Sequence, residues 1–180
     1  MIIDKKSHII EKLNSRLINC NQCRLSSTRK HVLVGEGYVY ARLMIIALSP
    51  GEMEDSENQM FIGPSGHILN KLFSAAGINR KSVYMTNLIK CMLPKNRRPK
   101  MDEIEACSQY LDEEIVIINP EVIVPLGFCA TRYTLYKYHR NAPNARAEFA
   151  ELYGQLIFSE KQKIFPLPHP TSLIYNPSDF

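Results

Sequence analysis

Leu43-Met44-Ile45-Ile46-Ala47-Leu48 is an unbroken apolar run that stops at Ser49-Pro50-Gly51. A run with no polar face cannot turn one side to water, so it predicts a strand covered on both faces, as in the parallel sheet of a layered α/β domain. Shorter apolar runs repeat the signal. Val83-Tyr84-Met85 leaves at Asn87, residues 121–127 end at Gly127, and residues 163–167 run into Pro168-His169-Pro170. Helical periodicity fills the gaps, over residues 7–19, 68–76, 101–119 and 130–138. Strands alternating with helices predict a largely parallel sheet with right-handed crossovers. No linker or repeat divides the 180 residues, so a single domain spanning 1–180 is expected.

In an open parallel sheet, ligands sit outside the carboxyl ends of the strands. Those ends bear Ser49-Pro50-Gly51, Asn87, Gly127 and His169. Asn87 is placed to read a ligand, although an asparagine there could equally cap a turn. Beyond it, the loop from Pro94 to Pro99 holds Lys95, Arg97 and Arg98, with Lys90 and Lys100 close by. This is the densest cationic cluster in the chain and suits phosphate. Glu52, Glu54, Asp55 and Glu57 read as an acidic, solvated loop, and Phe61 alone reads as core.

Composition narrows the class. Hydrophobic residues make up 45% and charged residues 22%, the profile of a globular rather than a disordered chain. A net charge of +4 permits a nucleic-acid partner without demanding one. No signal peptide and no apolar run long enough to cross a bilayer is evident, so a cytoplasmic protein with no membrane partner is expected. Thiols stay reduced in that compartment. Cys20, Cys23, Cys91 and Cys107 then read as C-x2-C, a long gap and C-x15-C, which favours a metal or an iron–sulfur cluster over disulfides and leaves unrelated thiols as the alternative. Cys129 follows Gly127 and reads as a small core residue.

Taken in order, these segments resemble the family 4 uracil-DNA glycosylases. The residues that carry the likeness are Cys20-Asn21-Gln22-Cys23, Gly35-Glu36-Gly37, Ser49-Pro50-Gly51-Glu52-Met53-Glu54-Asp55 and Phe61-Ile62-Gly63. They continue through Thr86-Asn87-Leu88-Ile89-Lys90-Cys91, Pro94-Lys95-Asn96-Arg97-Arg98-Pro99, Cys107 and His169-Pro170. The resemblance implies a three-layer αβα sandwich with a four-stranded, mostly parallel central sheet. It implies removal of uracil from DNA, single- or double-stranded, in base-excision repair, by a protein expected to act as a monomer. It also implies a 4Fe-4S cluster on Cys20, Cys23, Cys91 and Cys107.

By the same likeness, Phe61 stacks on the flipped base, Asn87 pairs with its edge beside Gly51, and His169 donates to the uracil oxygen where charge develops. Glu54 is the first choice to hold the attacking water, with Asp55 second and Ser49 as a helper. Lys90, Lys95, Arg97 and Arg98 are expected to take phosphates, and Leu173 to wedge into the emptied stack. The chain departs from the family pattern at Leu48, where a glutamate is common. That departure keeps open a second reading: an iron–sulfur DNA-binding homologue with lost or redirected catalysis, such as a damage sensor or polymerase accessory.

Overall fold

The computed structural model describes residues 4–138, 146–159 and 161–172. Its strands are β1 (Glu36–Gly37), β2 (Leu43–Ala47), β3 (Val83–Asn87), β4 (Val122–Pro125), β5 (Ile157–Phe158) and β6 (Lys163–Ile164). Its helices are α1 (Lys5–Ile18), α2 (Glu52–Glu57), α3 (Pro64–Ala75), α4 (Met101–Ile118), α5 (Gly127–Tyr138) and α6 (Arg146–Ala150). One six-stranded sheet runs in the order β1-β3-β2-β4-β6-β5. The pairs β3–β2, β2–β4 and β4–β6 are parallel, while β1 and β5 lie antiparallel on the two edges.

The expected four strands are the parallel centre of this sheet. The two edge strands escaped the sequence reading because each is two residues long and carries no alternation to detect. The acidic stretch 52–57 is a correction too: it is helix α2 rather than a loop. Gly51 sits at its N-cap and accepts the Asp55 N–H at 2.9 Å. Glu52, Glu54 and Asp55 all stand in the first turn, where the helix dipole favours negative charge.

Successive strand residues turn to opposite faces. Met44, Ile46, Tyr84 and Ile123 join the core built with α1, α4 and Ala130 of α5. Ile45, Ala47, Val83, Met85 and Val124 join the core built with Leu69 and Phe73 of α3. Helices therefore cover both faces, which is why the strands read as continuously apolar. Among the described residues, no helix is long and apolar enough to cross a membrane.

The exit of β3 is anchored by a buried polar group of side chains. Lys90 Nζ donates to Glu114 Oε2 and to Thr86 Oγ1, each at 2.5 Å, and Thr86 Oγ1 donates to the same Glu114 oxygen at 2.7 Å. The Lys90 and Glu114 side chains are 1% and 0% exposed. Lys90 is therefore a structural cation tying β3 to α4, which corrects the expectation that it meets phosphate. Removing one member of a buried ion pair strands the other charge, at about 3–5 kcal/mol. Lys90→Met is expected to lose that much by urea unfolding, and Lys90→Met/Glu114→Gln to recover most of it. Equal losses in the single and double variants would contradict the pairing.

Candidate active site

β2 ends at Ala47, and the chain turns through Ser49, Pro50 and Gly51 straight into α2. Ala47 is paired in register with Asn87 at the end of β3. Below the sheet's last parallel strand, Leu167 bridges Leu126, and His169 follows two residues later. These three strand ends open on one cavity of about 250 Å³, whose lining includes Ser49, Gly51, Glu54, Phe61, Asn87 and His169. Six residues given site roles from the sequence thus share one wall, together with Ala47, Pro50, Met60 and Ser65, which were given none.

Glu54 is 6% exposed, on α2. Its Oε1 accepts the Gly63 N–H at 2.9 Å. A Cβ at Gly51 would lie 2.6 Å from Oε2, and one at Gly63 would lie 3.0 Å from Oε1. Two glycines therefore make room for the carboxylate between the strand end and the start of α3. Asp55 faces elsewhere. Its carboxylate accepts the backbone N–H groups of Lys30 and His31 at 3.0–3.1 Å. It does not line the cavity and is occupied by those two amides, so the expectation of Asp55 as a second water-holding group is corrected.

Phe61 is buried and holds φ at +54°, a left-handed conformation that bulky residues rarely adopt. The turn is feasible because residue 66 is glycine: a Cβ there would sit 1.8 Å from the Phe61 carbonyl oxygen. Asn87 is 2% exposed and donates from Nδ2 to Met60 Sδ at 3.3 Å. His169 Nδ1 accepts the Thr171 N–H at 3.3 Å and pairs with Thr171 Oγ1 at 2.8 Å. With Nδ1 accepting, the ring proton resides on Nε2. Burial lowers the His169 pKa from its ordinary value of 6.5, against a weaker upward pull from Glu54, so the ring is neutral at pH 7. Leu48 is absent from the cavity lining; it packs against the core on the α1–α4 face, the opposite way from Ala47.

A second cavity, of about 330 Å³, is lined by Cys20, Cys23, Cys91 and Cys107 with Leu17, Leu25, Val32 and Ile89 among its apolar walls. The four cysteines are free thiols. Lys90 N–H donates to Cys107 Sγ at 3.2 Å and Arg29 Nη1 to Cys91 Sγ at 3.4 Å. Burial pushes both of these thiols up, Cys107 to about 12. Among the described residues, no group of three or more His, Cys, Asp or Glu is gathered so as to hold a single metal ion. Cys129, half-buried on α5, lies outside this lining.

The cationic loop divides. Lys95 and Arg98 are exposed, whereas Arg97 forms a bidentate pair with Glu103 at 2.8 and 2.5 Å. That pair, first, and the Lys100 N–H hold the Glu103 carboxyl down to about 2, fixing the start of α4. Leu173 lies outside the described residues.

The sequence model of the Uracil DNA glycosylase superfamily matches residues 34–180. The chain is 38% identical over 173 residues to the type-4 uracil-DNA glycosylase of Sulfurisphaera tokodaii, across 94% of this chain and 77% of that relative. The chain belongs to the type-4 uracil-DNA glycosylases. It is also 38% identical to the Saccharolobus solfataricus type-4 enzyme over 88% of this chain and 74% of that one. With the Thermotoga maritima type-4 enzyme it shares 33% identity over 97% of this chain and 88% of the relative.

Within this type-4 framework, the missed cavity residues explain themselves. Met60 stands in the turn leading to α3 and Ser65 in the first turn of that helix, and a methionine before an aromatic residue carries no motif that separates a cavity wall from ordinary core. Gly127 was named only as a strand end. Its φ is +79°, and a Cβ there would be 3.1 Å from His169 Cβ, so this glycine lets the histidine segment approach.

The His169 shift has a consequence for stability. Where a histidine's folded pKa lies below its unfolded value, the unfolded chain binds more protons between the two, and stability rises with pH across that window. The protein is expected to lose stability as pH falls below 6.5, until the folded ring is itself protonated. His169→Gln should lose less over the same range. Thermal melts of both proteins between about pH 5 and 8 check this; parallel curves would contradict it.

Proposed function

We propose that this protein is a uracil-DNA glycosylase that hydrolyses the N-glycosidic bond of deoxyuridine in DNA and leaves an abasic site. The observation that carries the reading is the meeting of a carboxylate, a carboxamide, an imidazole and an aromatic ring, from Glu54, Asn87, His169 and Phe61, on one cavity at the sheet's carboxyl edge. A base inside a duplex is unreachable, so the nucleotide must be turned out of the stack into such a cavity. There Phe61 offers a face for stacking, and the Asn87 amide offers one donor and one acceptor to the base edge.

Breaking the C1′–N1 bond leaves positive character on the sugar and negative charge on uracil. His169 meets that charge as a neutral Nε2–H donor, already oriented by Thr171, so the site need not reorganise as the bond stretches. Water supplies the oxygen that bonds to C1′, and its proton passes to the Glu54 carboxylate, which Gly63 holds through one oxygen. Ser49, on the same wall, is a further polar partner for that water. Leu48 does not line the cavity, so the departure there takes no carboxylate from this arrangement.

Cys20, Cys23, Cys91 and Cys107 are proposed as ligands of a 4Fe-4S cluster. Their convergence on one apolar cavity supports this, as do two N–H donors reaching sulfur. When bound, the cluster supplies iron–thiolate bonds joining the end of α1, the exit of β3 and α4; hydrolysis moves no electrons. Lys95 and Arg98 are proposed to take phosphates, with Arg97 secondary because Glu103 holds it.

Two measurements test this reading. An oligonucleotide bearing one uracil, treated with excess protein and then alkali, is expected to break at that site. Asn87→Ala and His169→Ala should each slow the reaction by about 10²–10³-fold, and intact oligonucleotide after wild-type treatment would overturn the assignment. Cys107→Ala is expected to lose bound iron and several degrees of melting temperature, whereas iron-free wild-type protein carrying one zinc would overturn the cluster.

A further inference from the structure

Glu36, from the Gly35-Glu36-Gly37 motif, takes no part in the chemistry above. Its Oε1 accepts the Met60 N–H at 2.9 Å. Arg80 Nη2 donates to the Met60 carbonyl at 2.8 Å, and its Nη1 donates to Asn70 Oδ1 at 2.8 Å. Both backbone polar groups of Met60 are thus held by side chains from separate elements, immediately before the left-handed Phe61. Met60 is 1% exposed, and its thioether sits 3.3 Å from the Asn87 amide nitrogen. A thioether has lone pairs and no proton to give. Only the amide's nitrogen can face it favourably; turning the amide over would set an oxygen against the sulfur in a buried site.

We propose that the Met60 thioether, held by Glu36 and Arg80, fixes the orientation of the Asn87 amide and thereby selects uracil over cytosine. The inference rests on the uracil reading of the cavity. Uracil presents a carbonyl oxygen at C4 and an N–H at N3. Cytosine presents an amino group and a bare ring nitrogen at the same places, so the donor and acceptor are exchanged. An amide in one orientation matches uracil, and the same amide turned over matches cytosine. Asn87 alone holds both possibilities; the sulfur removes one. Met60 is a positioning residue here, acting through Asn87 rather than on the base.

The test compares single-turnover excision from oligonucleotides carrying one uracil or one mispaired cytosine, with protein in excess. Met60→Leu keeps the volume and removes the acceptor. It is expected to lower the uracil-to-cytosine rate ratio by about fivefold, the weight of one modest neutral hydrogen bond. Glu36→Ala, which frees the Met60 N–H, should move the ratio the same way, and it decides the matter if Met60→Leu fails to fold. Selenomethionine-substituted protein, which retains an acceptor at that place, should keep the wild-type ratio. Packing damage alone would slow both substrates together, so an unchanged ratio in an active enzyme overturns the selection and leaves the function standing. Wild-type protein that excises no uracil overturns the function, and the selection with it.

Discussion

The parallel register of β2 against β3 is the constraint on which the site depends. It sets Ala47 beside Asn87, and the pairing of β2 with β4 brings Leu126 to the same edge, where Leu167 bridges it. A one-residue slip would turn Asn87 to the other face and exchange it with Thr86, which now faces Glu114. The two faces are already committed to different work. The α1–α4 face takes Thr86 and the Lys90–Glu114 pair, while the α3 face takes the cavity and its hydrophobic floor. Chain order reinforces this arrangement. β3 lies on one side of β2 and β4 on the other, so the connections diverge there and leave a crevice at the carboxyl edge.

Around that crevice, backbone N–H groups help to hold the polar side chains. Glu54 accepts from Gly63, and His169 accepts from Thr171. Glycines 51, 63, 66 and 127 stand where a side chain would press on Glu54, on the Phe61 carbonyl or on His169. Such fixed donors and acceptors cost no reorganisation as charge develops, which is the physical basis of catalysis in a water-poor cavity. The left-handed Phe61 is the strained point of the arrangement, and the Glu36–Arg80 hold on Met60 lies directly beside it.

The central strands and the cavity-lining positions Ser49, Asn87 and His169 at their ends were legible because apolar runs ending in Pro, Gly or polar residues announce buried parallel strands. What sequence could not reveal was the partner of each charge. Lys90 and Lys95 look alike in a basic stretch, yet one meets Glu114 from a helix twenty-four residues away and the other is exposed. Glu54 and Asp55 are adjacent in an acidic run, yet helix α2 turns one toward the cavity and the other toward the Lys30 and His31 amides. Burial of charge is decided by tertiary pairing, to which local composition is blind. Leu48 shows a related effect: it directly follows β2 and packs on the α1–α4 core, while Ala47 before it lines the cavity, so a departure inside a motif need not touch its site.

In the proposed mechanism, water is activated by the carboxylate on α2 and not from the end of β2. Single-turnover uracil excision by Glu54→Gln and Leu48→Glu proteins tests this. Glu54→Gln is expected to slow excision by about 10²-fold or more, while Leu48→Glu brings no gain, because the side chain at 48 faces the core. A Leu48→Glu protein that excises uracil much faster than wild type, or a Glu54→Gln protein that is unimpaired, would contradict it.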